Sequence, residues 1–281
     1  MKKRILIIGA GSALAQDIMP VLAANNELIT AGRKGFDVYC DVSKRVNIPK
    51  DIDVVINFTA AFGGPDDADI MEAVQTNVQG ILSICAAARK SGVSHVITWS
   101  SLSAVLDETS PYYSAYAITK RQADELATWY CAQHGLPLTI LRPSQIYGDS
   151  DSFSTHQPLL YQMVKQARAG RPVTIFGNHD AARNYIHSTD LAEVTQRIIS
   201  RDVKGLYPVT HPQNITLSRL ARAARQAFGS PEPVKFLKDK PDIPDNIFSA
   251  DMSLYDKIDY YPTISIEIGM ARIKANGGVT A

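Results

Sequence analysis

The chain has 281 residues, enough for one large domain or two smaller ones. Lysine and arginine number 29 and aspartate and glutamate 28, so the formal net charge is +1, which argues against a protein that binds nucleic acid through bulk basicity. The three cysteines form no CxxC pair, which excludes a zinc ribbon or a dense disulfide framework, and the scattered histidines form no metal signature. The apolar run Ile5–Ile8 stops at Gly9, too early for a signal peptide, and no stretch approaches the ~20 apolar residues of a membrane span. We therefore expect a cytoplasmic protein that does not insert into a membrane.

Short β-branched runs alternate with Ala-rich amphipathic segments along the first half of the chain. We predict strands at 5–8, 28–31, 38–40, 54–58, 96–99 and 138–141, and helices at 13–24, 70–91 and 114–134. This alternation predicts an α/β fold built on a doubly wound parallel sheet with helices on both faces. After residue 148 a polar linker (149–152) and frequent prolines begin, with helices predicted at 159–169, 189–199 and 217–228.

A loop of small residues follows the first predicted strand and opens the first predicted helix. Small residues let the backbone approach a pyrophosphate closely, and the helix N-terminus offers free N–H groups to the anion. The loop departs from a strict G-x-G-x-x-G pattern, so a tight strand–helix turn without a ligand is the alternative interpretation. The residues predicted to bind the phosphates are Gly9, Gly11, Ser12, Ala13 and Leu14.

The end of the second predicted strand indicates which dinucleotide this loop would bind. NAD sites usually place an acid there for the ribose 2′-hydroxyl, but this segment reads Thr30-Ala31-Gly32-Arg33-Lys34. The guanidinium of Arg33 suits a 2′-phosphate, so NADP(H) is favoured, with NAD(H) as the alternative. The other interpretation of Arg33 and Lys34 is a solvated surface pair.

A tyrosine and a lysine lie four residues apart on one face of the predicted helix 114–134. An ammonium such as that of Lys120 stabilises phenolate and can bring Tyr116 towards a pKa suited to proton transfer with a carbonyl oxygen. Ser100 and Ser101 end the fifth strand, at the sheet edge where ligands of parallel sheets bind. Without this context, a Tyr–Lys pair is more often a solvated helix face.

These motifs, in this order, resemble the extended short-chain dehydrogenase/reductases of the NAD-dependent epimerase/dehydratase group. The resemblance runs from Lys3 to about Arg272, over segments 9–15, 53–61, 77–80, 86–93, 100–101, 116–120, 141–148 and 183–190. It implies a Rossmann-type dinucleotide-binding domain over 1–148, with 183–212 returning to it, and a smaller mixed substrate lobe over 149–281.

The resemblance also implies roles by position. Tyr116 would exchange the proton, Lys120 would bind the nicotinamide ribose and lower the tyrosine pKa, and Ser101 would hold the substrate oxygen. The register leaves Ser100 and Ser103 open as the serine. The remaining cofactor contacts implied are Asp41, Val42, Phe58, Thr59, Ala60 and Pro143.

In many relatives the substrate is a sugar linked to a nucleoside diphosphate. Arg183 resembles the arginine that grips the diphosphate, and a structural ion pair is its alternative role. Gln145 stands at a substrate-facing position where the family usually has Asn. Lys238 and Lys240 would add positive charge or are simply solvated.

The predicted function is reduction of a 4-keto group on a nucleotide-linked sugar with NADP(H). Leu102-Ser103 follows Ser101, where dehydratases of the family carry an acidic pair, and this argues against dehydration. Three alternatives stay open: an epimerase that recycles NAD(P), an NADPH reductase of a small non-nucleotide carbonyl compound, and a non-catalytic dinucleotide-binding protein. A homodimer formed through helices 70–91 and 114–134 is a further open prediction.

Overall fold

The computed structural model describes residues 2–277, in which short strands alternate with helices. The strands are β1 (Arg4–Ile8), β2 (Glu27–Gly32), β3 (Val38–Tyr39), β4 (Val54–Asn57), β5 (His95–Trp99), β6 (Leu138–Pro143), β7 (Gln145–Tyr147), β8 (Val173–Phe176), β9 (Ala182–Arg183), β10 (Tyr185–His187), β11 (Gly205–Val209), β12 (Ile215–Thr216) and β13 (Val234–Leu237). The helices are α1 (Ala13–Ala23), α2 (Asp67–Ala73), α3 (Gly80–Lys90), α4 (Ala115–His134), α5 (Pro158–Arg168), α6 (Ser188–Arg201), α7 (Leu217–Phe228), α8 (Ser253–Ile258) and α9 (Ile266–Ala275).

Seven strands form one parallel sheet in the order β11-β6-β5-β4-β1-β2-β3. The predicted doubly wound α/β fold of Rossmann type is confirmed. The chain leaves β1 towards β2 on one side and returns to β4 on the other. Ligands of such sheets bind at this switch point, outside the carboxyl ends of the strands.

The central strands are buried on both faces, which explains their unbroken apolar sequences. Ile5–Ile8 of β1 and Val54–Ile56 of β4 are almost inaccessible to solvent. The residues that cap the helices were visible in the sequence. Ser114 accepts a hydrogen bond from the Ala117 amide at the start of α4, and Gly135 ends α4 in the left-handed conformation that favours glycine.

The prediction of one unbroken helix over 70–91 was wrong in its middle. A π-helical stretch, Val74–Gln79, joins α2 to α3, so the helix winds more loosely there. Such stretches are often found at functional sites. Asn77 lies in this stretch, and its side chain makes contacts that are described below.

The chain divides into two compact units. The first contains the residues up to Pro143 together with Ala192–Val209, and the second contains Ser144–Leu191 together with the residues from Thr210 onwards. In the second unit, paired short strands (β7 with β10, β9 with β12, β8 with β13) accompany helices α5, α7, α8 and α9. The expected limits, 148 and 183–212, lie near these bounds without coinciding with them, and the substrate role of the lobe stays a prediction. Among residues 2–277, no helix has the length and apolar character that crossing a bilayer requires.

Candidate functional site

The loop between β1 and α1 approaches its neighbours closely enough to require glycine. Gly9 has φ +78° and its amide donates to the Ala31 carbonyl at 3.0 Å. A Cβ added to Gly9 would lie 3.0 Å from the Thr59 amide nitrogen, at the end of the neighbouring strand β4. Ser12 then caps α1 by accepting from the Ala15 amide at 3.3 Å. The loop is therefore tight, capped and held against β4.

A cavity of about 560 Å³ opens beside this loop in the first unit. Most of the predicted cofactor-binding residues line it, namely Gly9, Gly11, Ser12, Arg33, Asp41, Val42, Phe58, Thr59 and Ala60. Five other predicted cofactor residues are not among the lining residues: Ala13 and Leu14 at the start of α1, Tyr116 and Lys120 on α4, and Pro143 at the end of β6. Lining residues that the sequence analysis did not select include Gly32, Phe36, Ser43, Lys44, Glu72 and Gln75.

The adenosine-side candidates surround the end of β2. The ring of Phe36 packs so closely on Gly32 that a Cβ there would lie 2.4 Å from its Cδ2 atom. Asp37 fixes this turn by accepting from the Thr30 amide (2.9 Å) and hydroxyl (2.7 Å). Arg33 is exposed at the cavity, and within residues 2–277 no hydrogen bond or ion pair engages its side chain.

Asp41 and Val42, which are predicted to lie by the adenine, also line the cavity. The Asp41 carboxylate accepts from the Ser43 hydroxyl at 2.7 Å, and Lys44 lies 3.6 Å away. The Ser43 hydrogen bond is the main reason that the pKa of Asp41 is lowered, and the charge of Lys44 adds to it. This carboxylate is therefore ionised and already partnered by neighbours in its own turn.

Tyr116 lies one helical turn before Lys120 on α4, beside the end of β5. The Ser101 hydroxyl lies beside the Tyr116 phenol, close enough to lower the tyrosine pKa by stabilising the phenolate. The Tyr116 ring stacks on Phe62, with ring centroids 4.9 Å apart, and Phe62 directly follows Ala61, which lines the cavity. The predicted tyrosine, lysine and serine thus come together next to the segment that borders the cavity.

The candidate serines differ in the groups that they contact. Ser101 contacts Tyr116, and its Oγ also accepts from the Ser103 amide at 3.0 Å. The buried Ser100 hydroxyl instead donates to Asp124 at 2.8 Å. Of the three serines left open, Ser101 therefore has the geometry expected of the residue that holds a substrate oxygen.

Burial dominates the ionisation of this group. The pKa of Tyr116 is raised to about 12, mainly by burial and also by the charge of Asp124, while hydrogen bonding from Ser101 opposes the rise. The lowered tyrosine pKa expected from the Tyr–Lys spacing is therefore not found. Burial likewise lowers the pKa of Lys120 to about 8, against the charge of Asp124. Lys120 Nζ donates to the Trp99 carbonyl at 3.0 Å and lies 5.8 Å from the Tyr116 ring centroid.

Two buried asparagines hold the segment that follows β4. Asn57 accepts from the Thr59 amide (3.0 Å) and hydroxyl (2.7 Å) and donates to Thr98 on β5 (3.1 Å). Asn77 bonds both the amide (2.9 Å) and the carbonyl (2.8 Å) of Ala61, and donates to the Thr119 hydroxyl (3.0 Å). These bonds link one wall of the cavity to the residue immediately before Lys120.

The sequence analysis also missed Asp124, a buried acid one turn beyond Lys120. It accepts from Arg142 Nε at 2.7 Å as well as from Ser100. Its position four residues after Lys120 was visible in the sequence, as was Arg142 in the segment 141–148. Neither residue, taken alone, signals burial.

Two of the predicted substrate residues, Gln145 and Arg183, belong to the second unit. Gln145 begins β7; its Nε2 donates to Gln157 at 3.4 Å, and its buried Oε1 has no hydrogen-bond partner among the described residues. Arg183 is buried, and its Nη1 donates to the carbonyls of Ala182 (3.0 Å) and Pro244 (2.6 Å). The diphosphate role of Arg183 stays a prediction. Within residues 2–277, no group of three or more His, Cys, Asp or Glu side chains could hold a metal ion.

The sheet, the loop and the Tyr–Lys–Ser group define a Rossmann-type protein with a candidate dinucleotide site. The chain belongs to the NAD dependent epimerase/dehydratase family, whose model matches residues 5–209.

Three individual relatives share only 18–24% sequence identity with this chain. A dTDP-4-dehydro-6-deoxy-D-allose reductase from Streptomyces is 24% identical over 215 residues, which cover 68% of this chain and 64% of the relative, less than two thirds of its length. A UDP-N-acetylglucosamine 4-epimerase from Methanobrevibacter ruminantium M1 superposes with a TM-score of 0.79 at 20% identity, covering 98% and 99% of the two chains. The structure of RMD from Pseudomonas aeruginosa complexed with NADPH gives 0.78 at 18% identity, with 98% and 97% covered. These superpositions show a shared fold.

Proposed function

We propose that the protein is an NADP(H)-dependent reductase that converts a 4-keto group of a nucleotide-linked sugar into an alcohol. One observation carries the proposal: the Tyr116 phenol and the Ser101 hydroxyl adjoin each other with Lys120 beside them, at the carboxyl end of β5 and next to a cavity lined by a glycine-rich loop. Two hydroxyls that meet in this way can both bond one carbonyl oxygen. The lysine adds a positive charge where negative charge develops.

The cavity fits a nicotinamide dinucleotide. Its glycine-rich side admits no side chain at Gly9, so that backbone can approach a pyrophosphate, and the N-terminus of α1 lies next to it. We propose that Gly9, Gly11 and Ser12 hold the pyrophosphate, Asp41 and Val42 the adenosine, and Thr59, Ala60 and Lys120 the nicotinamide ribose. When bound, the nicotinamide supplies the hydride that adds to the carbonyl carbon.

The residues of the chain then supply the proton. Ser101 and Tyr116 hydrogen-bond the substrate oxygen, and Tyr116 gives its phenolic proton to that oxygen as the C–H bond forms, leaving a phenolate that solvent reprotonates. With a pKa of about 12, Tyr116 is a phenol at neutral pH, the form needed for reduction. Lys120, with a pKa of about 8, is mostly protonated at pH 7 and stabilises the phenolate.

Three features support NADP(H) over NAD(H). Arg33 is exposed at the cavity without a partner among the described residues, and β2 ends in Gly32 where NAD sites usually carry an acid. The Phe36 ring fills the space beside Gly32, so an acid there would clash. NAD(H) stays the alternative.

The substrate class is proposed from relatives and from residues together. The Streptomyces relative is named as a reductase of a dTDP-linked 4-dehydro-6-deoxy sugar. Gln145, whose buried amide oxygen has no partner within residues 2–277, is our candidate ligand for the sugar, and Arg183 for the diphosphate. A small non-nucleotide carbonyl compound is the alternative substrate.

An epimerase is the second candidate function, because epimerases are among the solved structures with the same fold. An epimerase removes and returns hydride on one sugar, whereas a reductase consumes one NADPH per product. Purified protein is incubated with NADPH and a panel of 4-keto sugars linked to nucleoside diphosphates. Equal amounts of NADP⁺ and alcohol support the reductase. With the matching 4-hydroxy sugars and NADP⁺ instead, interconversion of the C4 epimers without net cofactor reduction supports the epimerase. If NADPH binds but no substrate reacts, the non-catalytic alternative is favoured.

Cofactor preference is tested by titrating NADPH and NADH into wild type, Arg33→Ala and a matched control, Lys34→Ala. Lys34 is exposed and adjacent but does not line the cavity. We expect Arg33→Ala to weaken NADPH binding about 10- to 100-fold, as for a lost charged hydrogen bond, with NADH and the control unchanged. Tighter binding of NADH than NADPH to the wild type would contradict the proposal.

A cytoplasmic location and a homodimer stay predictions. The helices proposed for the dimer expose large apolar side chains, Met71 on α2 and Trp129 on α4 among them. Light scattering at several concentrations, with Trp129→Ser as the variant, tests the dimer. A wild type that stays monomeric would contradict it.

A further inference from the structure

Helix α4 presents three polar side chains, each one turn apart, to three consecutive residues at the end of β5. The Tyr116 phenol lies beside the Ser101 hydroxyl, and Lys120 donates to the Trp99 carbonyl at 3.0 Å. Asp124 accepts from the intervening residue, Ser100, at 2.8 Å. Side chains four residues apart share a helix face. Each of the three α4 side chains therefore contacts a different residue at the end of β5.

Asp124 is buried and is bound from two sides. It is only 3% exposed, and both Ser100 Oγ and Arg142 Nε bond its Oδ2 atom. Arg142 comes from β6, the next strand of the sheet, so Asp124 joins three elements. Burying such a pair carries a desolvation penalty, and an apolar pair of similar volume often stabilises a fold as well or better. Fold stability alone is therefore a weak explanation for an ion pair at this place.

Resting on the proposed function, we propose that Asp124 is a positioning residue for the Tyr116–Lys120–Ser101 group. Its carboxylate holds the Ser100 side chain, and thereby orients the neighbouring Trp99 carbonyl and Ser101 hydroxyl towards Lys120 and Tyr116. Its negative charge, one turn from Lys120, offsets the penalty of burying that ammonium. Asp124 touches neither substrate nor cofactor and acts through its neighbours.

The charges around Lys120 come from two elements. Helix α4 contributes Tyr116 and Asp124, and β6 contributes Arg142 through its bond to Asp124. β5 contributes only the neutral Trp99 carbonyl and Ser100 hydroxyl. Removing the Asp124 charge takes away the interaction that raises the Lys120 pKa against burial, so Lys120 should lose its proton at a lower pH.

The test separates charge from hydrogen bonding with two variants. Asp124→Asn removes the charge but keeps the shape, and Ser100→Ala removes the hydrogen bond but keeps the charge. Reductase kcat/KM is measured from pH 6 to 10, alongside NADPH affinity and melting temperature. For Asp124→Asn we expect the alkaline limb of the kcat/KM–pH profile to shift to lower pH by about one unit. We also expect kcat to be lowered and NADPH affinity to stay within about twofold of wild type. For Ser100→Ala we expect kcat to fall about 10-fold with the limb unmoved.

A purely structural role predicts a different pattern. Asp124→Asn would then lower the melting temperature while the folded protein kept the wild-type kcat and alkaline limb, which would overturn the proposal. If Asp124→Asn does not fold, kcat is compared in Asp124→Glu and Ser100→Ala instead. Glutamate keeps the charge but misplaces the acceptor, so its kcat should fall with the limb unmoved, and wild-type kcat in both variants would overturn the proposal.

Failure of the proposed function gives a different result from failure of this inference. If the wild type reduces no 4-keto sugar, the ionisation of Lys120 is still measurable through the pH dependence of unfolding, relative to a Lys120→Met variant. Asp124→Asn should lower the Lys120 midpoint by about one pH unit in that measurement also. An unchanged midpoint would overturn the charge role whatever the enzyme reduces.

Discussion

The buried ammonium of Lys120 predicts that activity and stability respond to alkaline pH in opposite directions. Burial lowers the pKa of Lys120 from 10.5 to about 8 in the folded chain. Between these values the unfolded chain holds a proton that the folded chain has released, so raising the pH favours the folded state. At ~1.4 kcal/mol per pH unit, the gap corresponds to about 3 kcal/mol of unfolding free energy. The destabilisation is fully present below about pH 8 and is lost as the pH rises to 10.5.

The assay is reversible urea unfolding of wild type and Lys120→Met from pH 7 to 10.5. Methionine carries no titrating group, so the difference between the two proteins isolates Lys120 from other groups that ionise in this range. We expect the wild type to gain about 3 kcal/mol relative to Lys120→Met over this interval. Over the same interval, reductase kcat/KM should fall about tenfold per pH unit above pH 8. A difference in unfolding free energy that stays flat, or that falls with pH, would refute the reasoning.

Three further predictions concern residues around the cavity and the reacting group. Tyr116→Phe should lower kcat about 10²- to 10⁴-fold and leave NADPH affinity within about twofold, measured by steady-state kinetics and fluorescence titration; turnover near the wild-type rate would contradict the proton-donor role. Gly32→Ala should weaken NADPH binding, because the new Cβ meets the Phe36 ring, and Phe36→Ala in the same chain should restore it; additive losses would argue against this contact. Ser101→Ala should lower kcat about 10-fold or more while the kcat of Ser103→Ala stays near wild type, because Ser101 is the serine beside the Tyr116 phenol. A larger loss of kcat in Ser103→Ala would assign the role to Ser103.

Much of the sheet and of helix α4 was predictable because their signals are local. Ile5–Ile8 is apolar throughout, as a strand buried on both faces must be, and Ser114 and Gly135 mark the ends of α4 by capping chemistry. Spacing alone also placed Tyr116 and Lys120 on one face. These features depend only on residues within a turn or a strand of one another.

Features that depend on distant residues were not predictable. The side chains of 70–91 suit an α-helix, and the π stretch at Val74–Gln79 coincides with Asn77, which bonds Ala61 and Thr119. The pKa of Tyr116 is raised because burial, which no spacing reveals, outweighs the hydrogen bond with Ser101. In the second unit, strands of two to four residues such as β9 and β12 are too short for a periodic pattern.

Asp124 escaped prediction for the same reason, whereas Phe36 is only four residues from Gly32 and no pattern in the sequence marked its contact. A charge in a long helix is usually solvated, and only the fold brings Ser100 and Arg142 against Asp124. The Phe36 ring packs on Gly32 because the turn after β2 folds back on that strand.

The most direct test of the proposed reaction is isotope transfer from NADPH deuterated at C4 of the nicotinamide. The protein is incubated with this NADPH and a 4-keto sugar linked to a nucleoside diphosphate, and the product is examined by mass spectrometry and proton NMR. A reductase predicts one deuterium at C4 of the sugar and one NADP⁺ for each product, both lost in Tyr116→Phe. Product without deuterium, formed with no net NADPH oxidation, would contradict the account.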